Sequence, residues 1–169
     1  MEDTISQAKA EFIRAKERLA GALATTPDDK THWSPSPTAR TPLQQVGHAA
    51  QATPILMGLL TGKPLPFAGL PEADAMRELE TGFTGMRETE KGFMSRRQVL
   101  DLLDQTSAEY LAWLDTLTPE QVGSTVSMPF GLMPMAAGIT LAADHLRSHA
   151  AQIDYTQTIY GDLDWHVPS

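Results

Sequence analysis

Residues 143–153 read Ala143-Asp144-His145-Leu146-Arg147-Ser148-His149-Ala150-Ala151-Gln152-Ile153. Wound as a helix, this stretch and its flanks sort by chemistry. At roughly 100° per residue, Met135, Ile139, Ala142, Leu146, Ile153 and Tyr160 form one apolar stripe, and Arg147, Asp154 and Thr158 lie opposite it, toward water. His145 and His149 fall together on one flank of the stripe, beside the small residues Gly138 and Ala142 and the polar Gln152 and Thr156. The helix is expected to run from about Met135 to Tyr160, with Gly161 as its C-terminal stop. Two histidines four residues apart suit a chelating pair, but the spacing is loose by itself and calls for a third ligand elsewhere.

Working outward, three more long helical patterns precede this one. The first covers about Thr4 to Thr25, with Ile5, Ala8, Phe12, Ala15, Leu19 and Ala22 on one face, Thr4 and Gln7 at capping-box spacing, and Pro27 as the stop. An irregular Pro- and Ser-rich stretch follows. The second opens on Thr41 as N-cap, Pro42 in the first turn and Gln44 closing a capping box, and runs to about Leu60 with a kink expected at Pro54. Residues 70–94 carry little pattern; a short surface helix near 72–81 is expected. Ser95 and Gln98 cap the third long helix, whose seam is Val99, Leu102, Leu103, Thr106, Tyr110, Trp113 and Leu117. Only Ser127–Phe130 reads as extended, and one such segment makes no sheet. Four long helices in one chain predict an all-α four-helix bundle, a single domain over 1–169.

Composition excludes several classes of function. The chain has 169 residues, no cysteine and a formal charge of −8. Without cysteine there is no disulfide scaffold, no thiolate-ligated zinc or iron–sulfur site and no cysteine nucleophile. The negative charge argues against nucleic acid and anionic membranes, which need clustered Lys and Arg. The amino terminus is amphipathic and acidic, unlike a signal peptide, and no stretch approaches the ~18 uninterrupted apolar residues of a membrane helix. The expectation is a cytoplasmic protein.

The second helix supplies the candidate third histidine. His48 shares a row with Ala52, Ile55 and Leu59 at the edge of an apolar face, and its flank toward solvent is read as Gln44, Gln51, Gly47 and Gly58. Neutral imidazoles from His48, His145 and His149 would bind Zn²⁺, Ni²⁺ or Fe²⁺ and leave a position for water. Taken alone, a histidine so placed is more often a rim or hydrogen-bonded core residue than a ligand, and the residues leave both readings open. His32 and His166 are placed in loop and tail, away from any site. Trp33 and Trp113 are read as core anchors, and the methionines, Met128, Met133 and Met135 among them, as core filling rather than an adaptable pocket.

The segment DDKTHWSPSPTARTPLQQVGHAA, with Trp33, Pro35 and Pro37 and then His48 early in a helix, resembles the DinB-like (DinB/YfiT-like) superfamily of metalloenzymes. ADHLRSHAAQI resembles that family's second signature, a histidine, three residues, a second histidine, then Gln-Ile. The resemblance covers essentially the whole chain. It implies a four-helix bundle of up-down-down-up topology, often a homodimer, in which one histidine of the second helix and two of the fourth hold a divalent metal. Carried over, these are His48, His145 and His149. It further implies a thiol-dependent S-transferase or isomerase using a low-molecular-weight thiol, or a hydrolase of small molecules.

The residues constrain the mechanism. In a zincin the residue after the first histidine is a Glu base; here it is Leu146. No Glu-x-x-His occurs, so the di-iron bundle pattern is absent. Asp144 projects about 100° away from His145 and is not expected to act as a base. Gln152 and Thr156 stand where they could bond a ligand or orient an imidazole. Two expectations of different class follow: a metal-dependent transferase or hydrolase, or a non-catalytic, metal-free helical module for binding or dimerisation.

Overall fold

The computed structural model describes residues 2–62, 70–128, 131–164 and 166. Its elements in chain order are α1 (Glu2–Thr25), a 3-10 turn (Asp28–Lys30), α2 (Pro42–Leu60), α3 (Glu72–Glu90), α4 (Arg96–Leu114), α5 (Pro119–Val122), β1 (Thr125–Met128), β2 (Gly131–Pro134), α6 (Met135–Gly138) and α7 (Leu141–Ile159). The helices α1, α2, α4 and α7 form a four-helix bundle.

Cross-helix contacts fix its topology. Glu11 meets Arg147 and Arg18 meets Asp154, so α1 and α7 run the same way. Lys9 pairs with Asp115 at the opposite ends of their helices and Lys16 with Asp104, so α4 runs against α1. Gln45 meets His149 and Leu60 meets Gly138, so α2 runs against α7. The directions are therefore up, down, down, up, and the parallel pair α2 and α4 needs the long crossover that carries α3.

The expected apolar stripes become the core. Ala8, Phe12, Ala15, Leu19 and Ala22 of α1 are buried, as are Val46, Ala49 and Ala50 of α2 and Val99, Leu103, Tyr110 and Leu114 of α4. Ala142, Leu146 and Ile153 of α7 close it. Tyr110 stacks on Phe12 with centroids 4.6 Å apart, and its hydroxyl donates to the Ile139 carbonyl at 2.8 Å. A buried phenol needs such a partner, since an unsatisfied hydroxyl costs about 1–3 kcal/mol.

Helix starts follow local chemistry where side chains compete for the orphan N–H groups of the first turn. Thr41 accepts from the Gln44 N–H while the Gln44 side chain accepts from the Thr41 N–H, with Pro42 in the first turn. Ser95 accepts from the Gln98 N–H, but the Gln98 side chain reaches past it to the Met94 N–H. The helix α2 continues through Pro54 to Leu60. Gly161, at φ 95°, follows α7 in the left-handed conformation that glycine adopts without Cβ strain.

Five expectations are corrected. Thr4 does not cap α1, which is already helical at Glu2. The short helix near 72–81 is a 19-residue helix that ends at Glu90. Gly82, Gly85 and many charges mask its pattern, and what docks it lies at its far end, where Glu90 and Phe93 are buried against α2. The last helix is broken: α6 ends at Gly138, and α7 begins at Leu141 after the carbonyl of Ile139 has turned to Tyr110. Residues 125–128 do not stand alone but pair antiparallel with 131–134, Val126 opposite Met133. Pro129 and Phe130, the end of the expected extended segment, lie outside the described residues. Trp33 and Trp113 are half-buried rather than central.

Candidate metal centre

The helices α2 and α7 bring His48, His145 and His149 together. One ring nitrogen of each lies within 4.8 Å of the other two. The ring centroids are 4.5 Å apart for His145 and His149, 4.8 Å for His48 and His149, and 5.2 Å for His48 and His145. His149 is 5 % exposed, and the other two are partly buried. His32 is exposed, and His166 bonds Asp162 in the tail; neither joins the cluster.

Each ring has its own support. His48 Nδ1 lies 2.8 Å from Glu90 Oε1, so it carries the proton and donates. Glu90 is 1 % exposed, and Arg40 grips it from the other side, Nε to Oε2 at 2.7 Å and Nη2 to Oε1 at 2.9 Å. Such a bidentate pair is the geometry in which a guanidinium holds a carboxylate most firmly. His149 Nδ1 is 2.5 Å from Gln45 Oε1; an amide oxygen only accepts, so this nitrogen is an N–H as well. With both Nδ1 atoms protonated, the neutral rings keep their lone pairs on Nε2. His145 Nε2 is 3.1 Å from His149 Nε2, and His145 Nδ1 is buried without a partner among the described residues.

Burial and crowding keep the imidazoles neutral. Burial is the main cause in all three; it lowers His48, pushes His145 down to about 4 and pushes His149 down to about 3. The Arg40 charge adds to the lowering at every ring, and the histidines lower one another at His145 and His149. Neutral imidazole is the form that ligates a metal.

The donor set fits a divalent transition metal. Two imidazoles sharing one tetrahedral ion at 2.0–2.1 Å bring their nitrogens to about 3.3 Å, close to the separation of the His145 and His149 Nε2 atoms. A carboxylate and a carboxamide behind ligating rings are the outer partners that fix tautomer and orientation at metal sites.

Three supports escaped the sequence. Gln45 leaves a faint signal, being three residues before His48 on the same helix face. Arg40 precedes α2, and Glu90 closes a helix whose extent local pattern did not reveal. The flank of His48 read as facing solvent is closed over at Gly47: a Cβ there would lie 2.1 Å from Phe93 Cε2, so the ring occupies the space a side chain would need. Thr156 spends its hydroxyl on the main-chain carbonyl of Gln152, Gln45 meets His149 at Nδ1, and the Gln152 side chain lies close enough to the same ring to favour its protonated form against the larger effect of burial. Asp144 pairs with Arg147, away from the cluster. A cleft of about 370 Å³ opens beside the centre, lined by Arg40, Gln45, Gln152, Tyr155 and Thr156 with Pro35, Ala39 and Ala151.

Among solved structures the chain is similar to three of the same architecture. They are a protein described as sibling lethal factor precursor DfsB (20 % identity, 93 % of this chain and 96 % of that one, TM-score 0.68), YfiT from Bacillus subtilis (18 %, 95 % and 90 %, 0.66), and a conserved protein from Enterococcus faecalis (18 %, 93 % and 97 %, 0.64). YfiT is described as a probable metal-dependent hydrolase with an unusual four-helix bundle topology. At these identities the likeness speaks for the fold. No protein of curated function matches the sequence. The model of the DinB superfamily matches residues 11–153, most of the chain, and the chain belongs to that superfamily.

Proposed function

We propose that His48, His145 and His149 bind one divalent transition-metal ion, Zn²⁺, Ni²⁺ or Fe²⁺, and that the protein is a metal-dependent enzyme acting on a small molecule, a hydrolase or a thiol-dependent S-transferase with a low-molecular-weight thiol as cosubstrate. The observation that carries this is the convergence of three neutral imidazoles, two of them backed at Nδ1 by acceptors. An ion so held, with an open position, supplies Lewis-acid polarisation and acidifies a coordinated water or thiol. The chain's own residues do the rest. Glu90 holds the His48 ring, Arg40 holds Glu90, and Gln45 holds the His149 ring. Both Glu90 oxygens are engaged, so Glu90 is a positioning residue and not a free base. The neighbouring cleft has room for a small molecule, and two of its lining residues, Arg40 and Gln45, are themselves supports of the site.

The same reading takes the whole chain as one DinB-like domain, a homodimer in the cytoplasm. The absence of cysteine fits a reducing compartment, and exposed Met76 and Phe83 on α3 offer apolar surface for self-association. Among the described residues no helix is long and apolar enough to cross a membrane.

The competing reading, a metal-free module for binding or dimerisation, has one observation in its favour. The 3.1 Å contact between His145 and His149 is also a good hydrogen bond without any ion. Elemental mass spectrometry on protein purified without a polyhistidine tag separates the two. Near-stoichiometric metal, lost in His48→Ala and His149→Ala, is expected, together with thiol-stimulated or hydrolytic turnover abolished by chelation. No metal in the wild type after incubation with zinc and nickel would leave only the module.

A further inference from the structure

We infer that the cleft beside the centre takes a small carboxylate with an apolar body, its carboxylate held by the edge of Arg40 that Glu90 does not use. The inference deepens the proposed function by naming a substrate class for that same centre, and it rests on that reading for calling the ligand a substrate.

The guanidinium has more donors than Glu90 accepts. An arginine carries five N–H groups in a rigid planar fork. Glu90 takes one from Nε and one from Nη2. That edge is turned inward, onto a carboxylate that is 1 % exposed. Five less two leaves three donors, one N–H on Nη2 and both on Nη1, and the Arg40 side chain has no acceptor other than Glu90 among the described residues. The Nη1–Nη2 edge is a second fork, of the kind that holds a carboxylate by two parallel bonds. Arg40 keeps 19 % exposure and lines the cleft.

The lining of the cleft suits such a ligand. Its volume of about 370 Å³ lies within the range of small-molecule sites. Arg40 is the one charged residue in that lining among the described residues, so no acid there competes with an incoming anion. Pro35, Ala39, Ala151 and the exposed Tyr155 give an apolar wall. Gln152 adds an exposed amide, which can donate to a carboxylate oxygen. The anchor is also next to the centre. Arg40 reaches His48 through Glu90, and Gln45, which shares the lining, bonds His149 at Nδ1. The Glu90 charge offsets that of the guanidinium, which suits a monoanion better than a phosphate ester carrying about −1.5 to −2 near neutral pH.

The test is an amide NMR titration of tag-free protein, stripped of metal by chelation and then dialysed, because a bound metal would attract carboxylates by itself. The probes are benzoate, its neutral counterpart benzamide, and phenyl phosphate. Benzoate is expected to shift the amides of residues 39–45 and 151–156 and to bind about tenfold tighter than benzamide, since charge-assisted bonds are roughly twice as strong as neutral ones. Ala151→Glu puts a carboxylate on the exposed wall without touching the clamp, and should abolish benzoate binding while sparing benzamide. A folded Arg40→Lys should weaken benzoate about tenfold, because an ammonium lacks the planar fork. Benzoate no tighter than benzamide, unaffected by Ala151→Glu, or weaker than phenyl phosphate would overturn the inference. Each of those results leaves the metal reading standing, because no metal takes part in the titration. Failure to bind metal in the separate elemental measurement would instead remove the centre and leave a carboxylate site without a catalytic role.

Discussion

Removing Arg40 should destabilise this protein more than most single surface changes, because of what it leaves behind. Glu90 is 1 % exposed, and two of its hydrogen bonds come from the Arg40 guanidinium, at 2.7 and 2.9 Å. In Arg40→Met the carboxylate keeps, among the described residues, only the His48 N–H as a hydrogen-bond donor and loses the cation paired with it. Breaking a buried pair from one side costs about 3–5 kcal/mol. That is a large part of the roughly 5–15 kcal/mol by which domains of this size are stable. Glu90→Gln is expected to cost less, about 1–3 kcal/mol. The carboxamide oxygen can still accept from His48, and Arg40, 19 % exposed, can turn to water. The double variant has no stranded charge and should be no less stable than Arg40→Met, a coupling on the order of 0.5–3 kcal/mol. Urea denaturation with a chelator at pH 8, read by linear extrapolation, measures all four proteins. If Arg40→Met costs under about 1 kcal/mol, the range of an exposed ion pair, and the two changes are additive, the pair is not the buried clamp described here.

Other expectations follow from single contacts. Gly47→Ala should destabilise by about 1–3 kcal/mol, since its Cβ would lie 2.1 Å from Phe93 and only displacement of that ring makes room; a thermal melt unchanged from wild type would show that the ring moves freely. Tyr110→Phe should cost about 1–2 kcal/mol in urea by stranding the Ile139 carbonyl, and a cost near zero would mean that another donor replaces the phenol. Metal-free protein should lose stability as pH falls. The three histidines stay neutral in the fold, with His145 at about 4 and His149 at about 3, while the unfolded chain takes up protons below about 6.5. Protons therefore favour unfolding between about pH 6.5 and those folded values, by about 1.4 kcal/mol per pH unit for each ring affected, and have little effect above pH 7. A melting temperature that is flat from pH 7 to pH 5 would contradict burial of neutral imidazoles.

The four bundle helices could be read from sequence because their information is local. Apolar residues recur at helical spacing along α1, α2, α4 and α7, and Thr41, Ser95 and Gly161 mark boundaries through bonds or backbone angles involving near neighbours. His48, His145 and His149 were legible as candidates for the same reason: helical rotation alone puts each on the flank of an apolar stripe. Elements defined by distant partners were not legible. The hairpin of β1 and β2 exists only as a pairing of two short segments, and α3 is held by residues at its end rather than by its own pattern.

The same division runs through the centre. Sequence by itself determined the all-α class, the helix faces and the place of each of three histidines on the flank of an apolar stripe, since each follows from the rotation per residue and the side chains within a few turns. Tertiary structure alone decided that the seam closes with the rings 4.5–5.2 Å apart, that Glu90 arrives from a crossover helix 42 positions beyond His48, and that Gln45 meets a histidine 104 positions away. Those partners share no periodicity with the residues they support. Their meeting depends on chain direction, helix register and the burial that makes an unpaired charge or N–H too costly to leave alone.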